Sequence, residues 1–198
     1  MLVLGLTGAL ASGKSTVTAM FAELGVATFD ADRAVHALYS GAAVAPIEAA
    51  FPGTTANGMV DRARLAARVV GDAAALAKLE AIVHPLVREA EAAFRTHAAG
   101  AGRRATLSDI PLLFETGREA DFDAVIAVTT TEENRKRRFL QRPGTSAERY
   151  AALTARQMSD AEKRRRAHFI IDTSADFATT RRQVAAVMRA VAGMSAGR

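Results

Sequence analysis

The stretch "GLTGALASGKST", residues 5–16, follows an apolar run and combines three glycines with a lysine and neighbouring hydroxyl groups. Its residues 8–15 fit the pattern G-x-x-x-x-G-K-[ST], a phosphate-binding loop. In such a loop successive backbone N–H groups converge on one anion, and the following helix adds partial positive charge at its start. Gly8 and Gly13 suit positions where a Cβ would block the backbone angles or a close approach. This stretch therefore predicts a strand, a loop and a helix arranged around nucleotide phosphates.

Two side chains of the loop have predicted tasks. Lys14 is expected to reach the β- and γ-phosphates, and the Ser15 hydroxyl to ligate Mg²⁺. The alternative is a chance match, because a pattern with few fixed positions also occurs in unrelated chains. The placement of the loop between an apolar strand and a helix favours the functional interpretation.

The rest of the chain predicts an α/β fold. Short apolar runs that end in polar or turn residues are typical of parallel strands covered on both faces. Helical stretches alternate with them, and these are predicted at 15–24, 61–70, 73–99 with an interruption at His84-Pro85, 132–141, 147–167 and 176–191. The strands of the predicted five-stranded parallel sheet are "LVLGL" (2–6), "VATFD" (26–30), "ATLSD" (105–109), "AVIAV" (124–128) and "HFIID" (168–172).

One connection is too long for a simple crossover. About 75 residues separate the second and third strands, where a dozen suffice. We therefore expect a helical insertion at about 33–102, and a lid at about 135–166. The core of this single domain would then be built from residues of about 1–32, 103–134 and 167–198.

Composition and charge exclude several kinds of site and protein class. The chain has no cysteine, which excludes disulfides and thiolate metal sites. No stretch approaches the roughly 18 apolar residues of a membrane span, and the apolar start lacks a basic region. Residues 131–198 carry a net charge of +8 and residues 1–130 a net charge of −3. We expect a cytoplasmic monomer with small anionic substrates, although the basic final third leaves nucleic acid as an alternative.

The second strand ends in "FDADRAVHAL" (29–38), which supplies a candidate for handling an acceptor hydroxyl. We expect this strand to lie next to the first one, so that Asp30 and Asp32 emerge beside the loop. Asp32 would orient the hydroxyl and accept its proton late in phosphoryl transfer. The alternative task for Asp32 is to cap the next helix.

The predicted lid, within "RKRRFLQRPGTSAERYAALTARQ" (135–157), carries basic residues. Arg138 and Arg142 are four apart and share one helix face, from which they would clamp ATP phosphates. Pro143 and Gly144 predict a turn between two helices. The alternative is a solvated amphipathic hairpin, and the run "KRRR" (163–166) is expected to be a solvated helix end.

The third strand runs into "DIPLLFE" (109–115). Asp109 is a candidate to bind Mg²⁺ through water or to hydrogen-bond Ser15, with a helix cap as the alternative. Glu115 is a candidate to contact the substrate or the lid.

Together these segments resemble the dephospho-CoA kinase family. The resemblance runs from about residue 4 to residue 172 and is carried by "GLTGALASGKST", "DADRAVH", "VDRARL", "LEAIVHPLV", "DIPLLFE", "RRFLQR" and "ARQMSDAEKRRRAHFIID". It implies a P-loop core with a helical CoA-binding subdomain and a lid. The implied reaction is the last step of coenzyme A synthesis, in which ATP phosphorylates the ribose 3′-hydroxyl of dephospho-CoA.

The resemblance also implies roles for individual residues. Asp32 would be the catalytic aspartate, Arg62 and His84-Pro85 would belong to the CoA-binding side, and Gln157 would lie near the lid and substrate. The implied ATP-binding residues are Gly8, Ala11, Ser12, Gly13, Lys14, Ser15, Thr16, Arg138 and Arg142.

Some positions depart from the family pattern. Ala9 stands where the family usually has glycine, so this position must avoid a positive φ or bear a small strain. His168, Thr173 and Ala175 replace the usual Asp, Asn and Gly of a segment that lies near the adenine in the family. Two rival interpretations stay open: another P-loop nucleoside or nucleotide kinase, and a nucleotide- or nucleic-acid-binding protein without turnover.

Overall fold

A central parallel sheet organises the chain in the computed structural model, which describes residues 1–155 and 157–194. Its strands are β1 (Leu2–Gly8), β2 (Ala27–Asp30), β5 (Ala105–Asp109), β6 (Ala124–Thr129) and β7 (Phe169–Asp172). They lie in the order β2-β5-β1-β6-β7. Leu4 of β1 is in register with Leu107 of β5 on one side and with Ala124 of β6 on the other. The prediction of a five-stranded parallel sheet is confirmed.

The predicted neighbour of the first strand was wrong. β5, not β2, lies beside β1, and β2 is at the edge of the sheet. The crossover from β1 through α1 (Lys14–Glu23) to β2 passes over one strand position, and β5 fills that position after the chain returns from the insertion. The sequence of such a crossover does not show whether the second strand lies directly beside the first or one strand position further away.

The chain divides into two compact units, Met1–Phe29 with Ala98–Arg198, and Asp30–His97. In the first, α1 (Lys14–Glu23) and α9 (Phe177–Ala192) pack on each other, and α9 also packs on β7. Their buried residues join those of the sheet in one core, in which Leu4, Leu6 and Ile126 are fully buried. The remaining helices of this unit are α6 (Glu132–Leu140), α7 (Ala147–Thr154) and α8 (Asp160–Arg166).

The second unit is mainly helical. Its elements are α2 (Ala31–Leu38), α3 (Val44–Ala50), β3 (Thr55–Ala56), β4 (Met59–Val60), α4 (Arg62–Val69) and most of α5 (Ala73–Gly100). The β3–β4 hairpin was not predicted. Its turn residues Asn57 and Gly58 have φ values of 52° and 73°, the left-handed pair that a tight hairpin turn requires. The Asn-Gly dipeptide was the available signal, but two-residue strands give no alternating pattern to accompany it.

Two helix predictions need correction. The helix expected at 147–167 is split into α7 and α8, because Ser159 starts α8 by accepting a hydrogen bond from the Glu162 amide. The interruption expected at His84-Pro85 does not occur, and α5 runs through Pro85. Proline removes one backbone hydrogen bond, and the buried neighbours Val83 and Val87 hold the helix on either side.

Across the described residues, none of the helices combines the length and the apolar composition needed to cross a membrane.

Candidate active site

The phosphate-binding loop connects β1, the middle strand of the sheet, to α1. β5 and β6 flank β1, and the three strands run parallel. The residues that follow these strands therefore come out at the same sheet edge as the loop. Crevices at this edge of open α/β sheets are the usual ligand sites.

Two glycines of the loop meet the conditions predicted for them. A Cβ on Gly8 would lie 2.5 Å from the Val128 carbonyl oxygen and 2.7 Å from the Ser12 hydroxyl. Gly13 caps α1 with a φ of 96°. Ala9 is not among the described residues with positive φ, but Ala11 is, with a φ of 60°. Ala9 thus takes the first of its two predicted options and avoids a positive φ, and the left-handed alanine is Ala11, at a cost of about 1 kcal/mol.

The loop and the first turn of α1 offer donors to an anion. α1 has no side-chain cap and no acidic residue in its first turn, and its first residue is Lys14. The Ser12 hydroxyl is buried without a hydrogen-bond partner. A helix start without a side-chain cap and an ammonium group are features typical of anion sites.

Oxygen donors suited to Mg²⁺ lie along α1. Ser15 is exposed on the first turn, and Thr18, one turn further on the same face, donates a hydrogen bond of 3.3 Å to Asp109 Oδ2. In the described part of the chain no group of three His, Cys, Asp or Glu side chains could hold a metal. A hydroxyl and a carboxylate fit Mg²⁺, which takes few protein ligands and completes its shell with phosphate oxygens and water.

A cleft of about 170 Å³ opens beside the start of α1. Arg138 forms part of its wall, donating through Nη1 to the Thr173 hydroxyl (3.0 Å) and through Nη2 to the Thr173 carbonyl (2.7 Å). The Thr173 hydroxyl in turn donates to the Ser12 carbonyl at 2.6 Å. Other lining residues are Gly13, Thr16, Ala175 and Phe177.

The segment between α7 and α8 contacts the loop. Gln157 Oε1 accepts a hydrogen bond of 2.9 Å from the Leu10 amide. The next residue, Met158, donates its amide to Glu115 Oε1 at 2.7 Å. Gln157 is therefore engaged within the protein, and Glu115, predicted to contact the substrate or the lid, contacts a residue of the predicted lid range.

Lys163 corrects the expectation of a solvated "KRRR" run. Its side chain is 0% exposed, and its ammonium lies 2.9 Å from Glu115 Oε1. Burial lowers the pKa of Lys163, whereas the bond to Glu115 and the charge of Glu115 oppose that effect. Arg164, Arg165 and Arg166 are exposed as predicted. Four consecutive basic residues give no sign of which one turns inward.

Arg142 lies exposed at the turn between α6 and α7, where Gly144 has a φ of 71°. The two helices are joined by the Phe139 and Tyr150 rings, whose centroids are 5.5 Å apart. Both rings pack with Ala11 in one apolar cluster, to which Leu10 is added. The predicted hairpin thus rests on the phosphate-binding loop.

The remaining candidates belong to the second unit. Asp32 is exposed in the first turn of α2, whereas Asp30 caps that helix by accepting from the Arg33 amide at 2.9 Å. The capping task considered for Asp32 is therefore performed by Asp30. Arg62 starts α4 with its guanidinium 5.6 Å from the Tyr39 ring centroid, and His84 is exposed on α5.

Comparison with known proteins assigns the chain to a family. The model of the dephospho-CoA kinase family matches residues 2–179. A dephospho-CoA kinase from Nitrobacter winogradskyi is 50% identical over 194 residues, covering 98% of each chain. The chain belongs to the dephospho-CoA kinase family.

Two solved structures are similar to the chain over nearly its whole length. A structure from Thermus thermophilus has a TM-score of 0.84 and 30% identity, covering 98% of each chain. The dephospho-CoA kinase from Campylobacter jejuni has a TM-score of 0.63 and 25% identity, covering 96% of each chain.

The structure groups part of the predicted site. It brings the loop together with Asp109, Arg138 and Gln157 in the first unit. Sequence reasoning missed the tasks of Thr173 and Lys163. Thr173 was noticed as a departure from the family pattern, but its bond to the loop depends on residues 161 positions apart.

Proposed function

We propose that this chain transfers the γ-phosphoryl group of ATP to the ribose 3′-hydroxyl of dephospho-CoA, giving CoA and ADP. Membership of the dephospho-CoA kinase family, over residues 2–179, is the observation that carries this function. The uncapped start of α1 with Lys14 as its first residue, and the Ser12 hydroxyl without a partner, support ATP as the phosphoryl donor, because both can donate to a phosphate group.

Nucleotide binding is proposed for the loop and the cleft beside it. Lys14 would contact the β- and γ-phosphates, and residues 11–16 would surround them. The cleft walled by Arg138 and Phe177 would take the adenine, since Phe177 is 72% exposed and a guanidinium or aromatic face favours stacking. Arg142 would approach the phosphates from the turn between α6 and α7.

Asp32 is proposed to orient the acceptor hydroxyl and to accept its proton. It follows the carboxyl end of β2 by two residues, and the phosphate-binding loop follows the carboxyl end of β1 in the same parallel sheet. Its carboxylate is exposed and has no capping task, which leaves it available to a ligand.

Mg²⁺ is proposed to bind at Ser15, with Asp109 holding it directly or through water. When bound, the ion offsets the negative charge that develops on the transferred phosphoryl group. Thr18 would fix the orientation of the Asp109 carboxylate through its hydrogen bond of 3.3 Å.

The helical insertion predicted at about 33–102 is proposed to bind dephospho-CoA, with Arg62 and His84 as contacts, and residues of about 135–166 to act as the lid. Glu115 and Gln157 were predicted as further substrate contacts. We also propose that the enzyme works as a monomer in the cytoplasm.

The direct test is ADP release from ATP and Mg²⁺ with dephospho-CoA as the acceptor. AMP and nucleosides serve as control acceptors. We expect release with dephospho-CoA and a product phosphorylated on the 3′-hydroxyl. Release only with AMP or a nucleoside would favour the rival kinase interpretation, and no release with any acceptor would contradict an enzyme function.

A further inference from the structure

The buried position of Lys163 costs free energy. An ammonium group on a fully buried side chain loses its hydration, and the ion pair regains this only with good geometry. Its partners are Glu115 Oε1 at 2.9 Å and the Pro111 carbonyl at 3.3 Å. Replacing such a pair by apolar residues is often neutral for stability, so stability alone is a weak reason for its presence.

Glu115 links this ammonium to the chain ahead of α8. The same oxygen, Oε1, also accepts the Met158 amide at 2.7 Å. The bond to Lys163 holds the carboxylate in the orientation that receives this amide. Met158 is thereby fixed against the loop that follows β5.

Gln157, the residue before Met158, passes this constraint to the phosphate-binding loop. Its Oε1 accepts the Leu10 amide at 2.9 Å, between Gly8 and Gly13. A second connection runs through Pro111, whose carbonyl accepts from both Lys163 and Thr7, the residue before Gly8. The network therefore contacts the loop at its beginning and within its first half.

The charge of Lys14 also interacts with the buried Lys163 ammonium. It contributes to lowering the pKa of Lys163, behind the larger effects of burial and of Glu115. The ammonium of Lys14 and the buried pair are thus within electrostatic range of one another. A change at the Lys163–Glu115 pair therefore affects the phosphate-binding loop through hydrogen bonds and through charge.

We propose that the buried Lys163–Glu115 ion pair is a positioning element for ATP, acting through Gln157 on the Leu10 amide and so on the shape of the phosphate-binding loop. This rests on the proposed function only in taking ATP as the ligand of the loop. Gln157 and Glu115 then serve the nucleotide from behind the loop, and not as contacts of dephospho-CoA.

A double-mutant cycle on nucleotide affinity tests this. The variants are Lys163→Met, Gln157→Leu and their combination, and the readout is calorimetric binding of a non-hydrolysable ATP analogue with Mg²⁺. Each single variant is expected to weaken binding by roughly tenfold, the loss typical of a hydrogen bond to a charged or buried group. Because the main route from Lys163 to the loop runs through the Gln157–Leu10 contact, the loss of affinity in the combined variant is expected to be clearly smaller than the product of the two single losses.

Steady-state kinetics supply the second readout. The KM for ATP is expected to rise by about the same factor, and the KM for dephospho-CoA to stay within about twofold. Arg189→Met is the control, because this cation is exposed on α9, outside the proposed lid and the phosphate-binding loop, and should change neither constant. If Lys163→Met does not fold, Glu115→Gln replaces it in the same cycle.

Two results would overturn the inference: losses that multiply in the combined variant, or a rise in the KM for dephospho-CoA with unchanged binding of the ATP analogue. Either can occur in an active enzyme, so failure here is distinct from failure of the proposed reaction. A wild-type protein that binds the analogue but does not phosphorylate dephospho-CoA would contradict the proposed reaction alone.

Discussion

Asp30 and Asp32 show how two identical side chains, two residues apart, receive different tasks from local geometry. Asp30 has extended backbone angles at the end of β2, so its carboxylate can accept from the Arg33 amide. Asp32 is already helical and exposed, so its carboxylate has no such partner within the helix start. The pair offers a test of the proposed base with an internal control.

We predict that Asp32→Asn lowers kcat by roughly 10²- to 10⁴-fold, the usual contribution of a positioned acid or base. The amide keeps the size of the side chain but cannot accept the proton. Affinity for ATP, measured by calorimetry, is expected to stay nearly unchanged.

Asp30→Asn is the matched control, because asparagine caps a helix as well as aspartate does. It should retain most of the activity. A large loss of ATP affinity in Asp32→Asn would assign this carboxylate to the metal or the nucleotide, and equal losses of kcat in both variants would contradict a specific role for Asp32.

At the scale of elements, the α6–α7 hairpin is held by side chains between its two helices. The Tyr150 hydroxyl donates to Glu132 Oε1 at 2.8 Å, and its ring packs on Phe139. Burial and the bond to Glu132 raise the pKa of Tyr150 from 10.0 to about 12. The hairpin therefore depends on the protonated form of this tyrosine.

Tyr150→Phe is expected to lower the free energy of unfolding by about 1 kcal/mol at pH 8, the value of one hydrogen bond. A raised folded-state pKa means that this stabilisation is complete below pH 10 and is lost as the pH rises to about 12. The difference in the free energy of unfolding between wild type and variant, from urea unfolding, should therefore shrink between pH 10 and about pH 12. A difference that does not change with pH would contradict the stabilising role of the hydrogen bond between Tyr150 and Glu132.

At the scale of the whole molecule, ligand binding and stability are linked. We expect ATP with Mg²⁺ to bind the folded chain and not the unfolded one, so a concentration of 100 times the dissociation constant should add about 2.7 kcal/mol to the free energy of unfolding. For a chain of 198 residues this raises the Tm by roughly 5–10 °C. Differential scanning calorimetry measures the shift.

Removal of Mg²⁺ with EDTA is expected to reduce this shift, because the proposed site at Ser15 holds the ion together with the phosphates. Lys14→Ala should reduce it as well, since the loop then lacks its ammonium group. An equal shift with and without Mg²⁺ would contradict the metal site, and an equal shift in Lys14→Ala would contradict the role of this lysine.

Features confined to one segment were predictable from sequence. The positions of all five sheet strands follow from short apolar runs, and the loop "GALASGKS" carries its glycines, lysine and hydroxyl within eight residues. Asn57-Gly58 shows the limit of such signals. The dipeptide was informative, but the strands beside it were too short to be recognised.

Features that join distant segments were not predictable. The order β2-β5-β1 arises because the strand that follows the insertion, β5, lies between the two strands that the first crossover joins. The tasks of Lys163 and Thr173 depend on partners that approach only after the sheet has formed. Pro85 stays helical because packing of its neighbours outweighs its local preference.

The sequence by itself determined the α/β fold, the phosphate-binding loop and the family, because strand patterns and the loop motif are local in the chain. Only the tertiary structure decided which of four consecutive basic residues is buried, which aspartate caps α2 and which strand neighbours β1. Burial and hydrogen-bond geometry depend on residues far apart in sequence, and identical side chains differ only once those neighbours are in place.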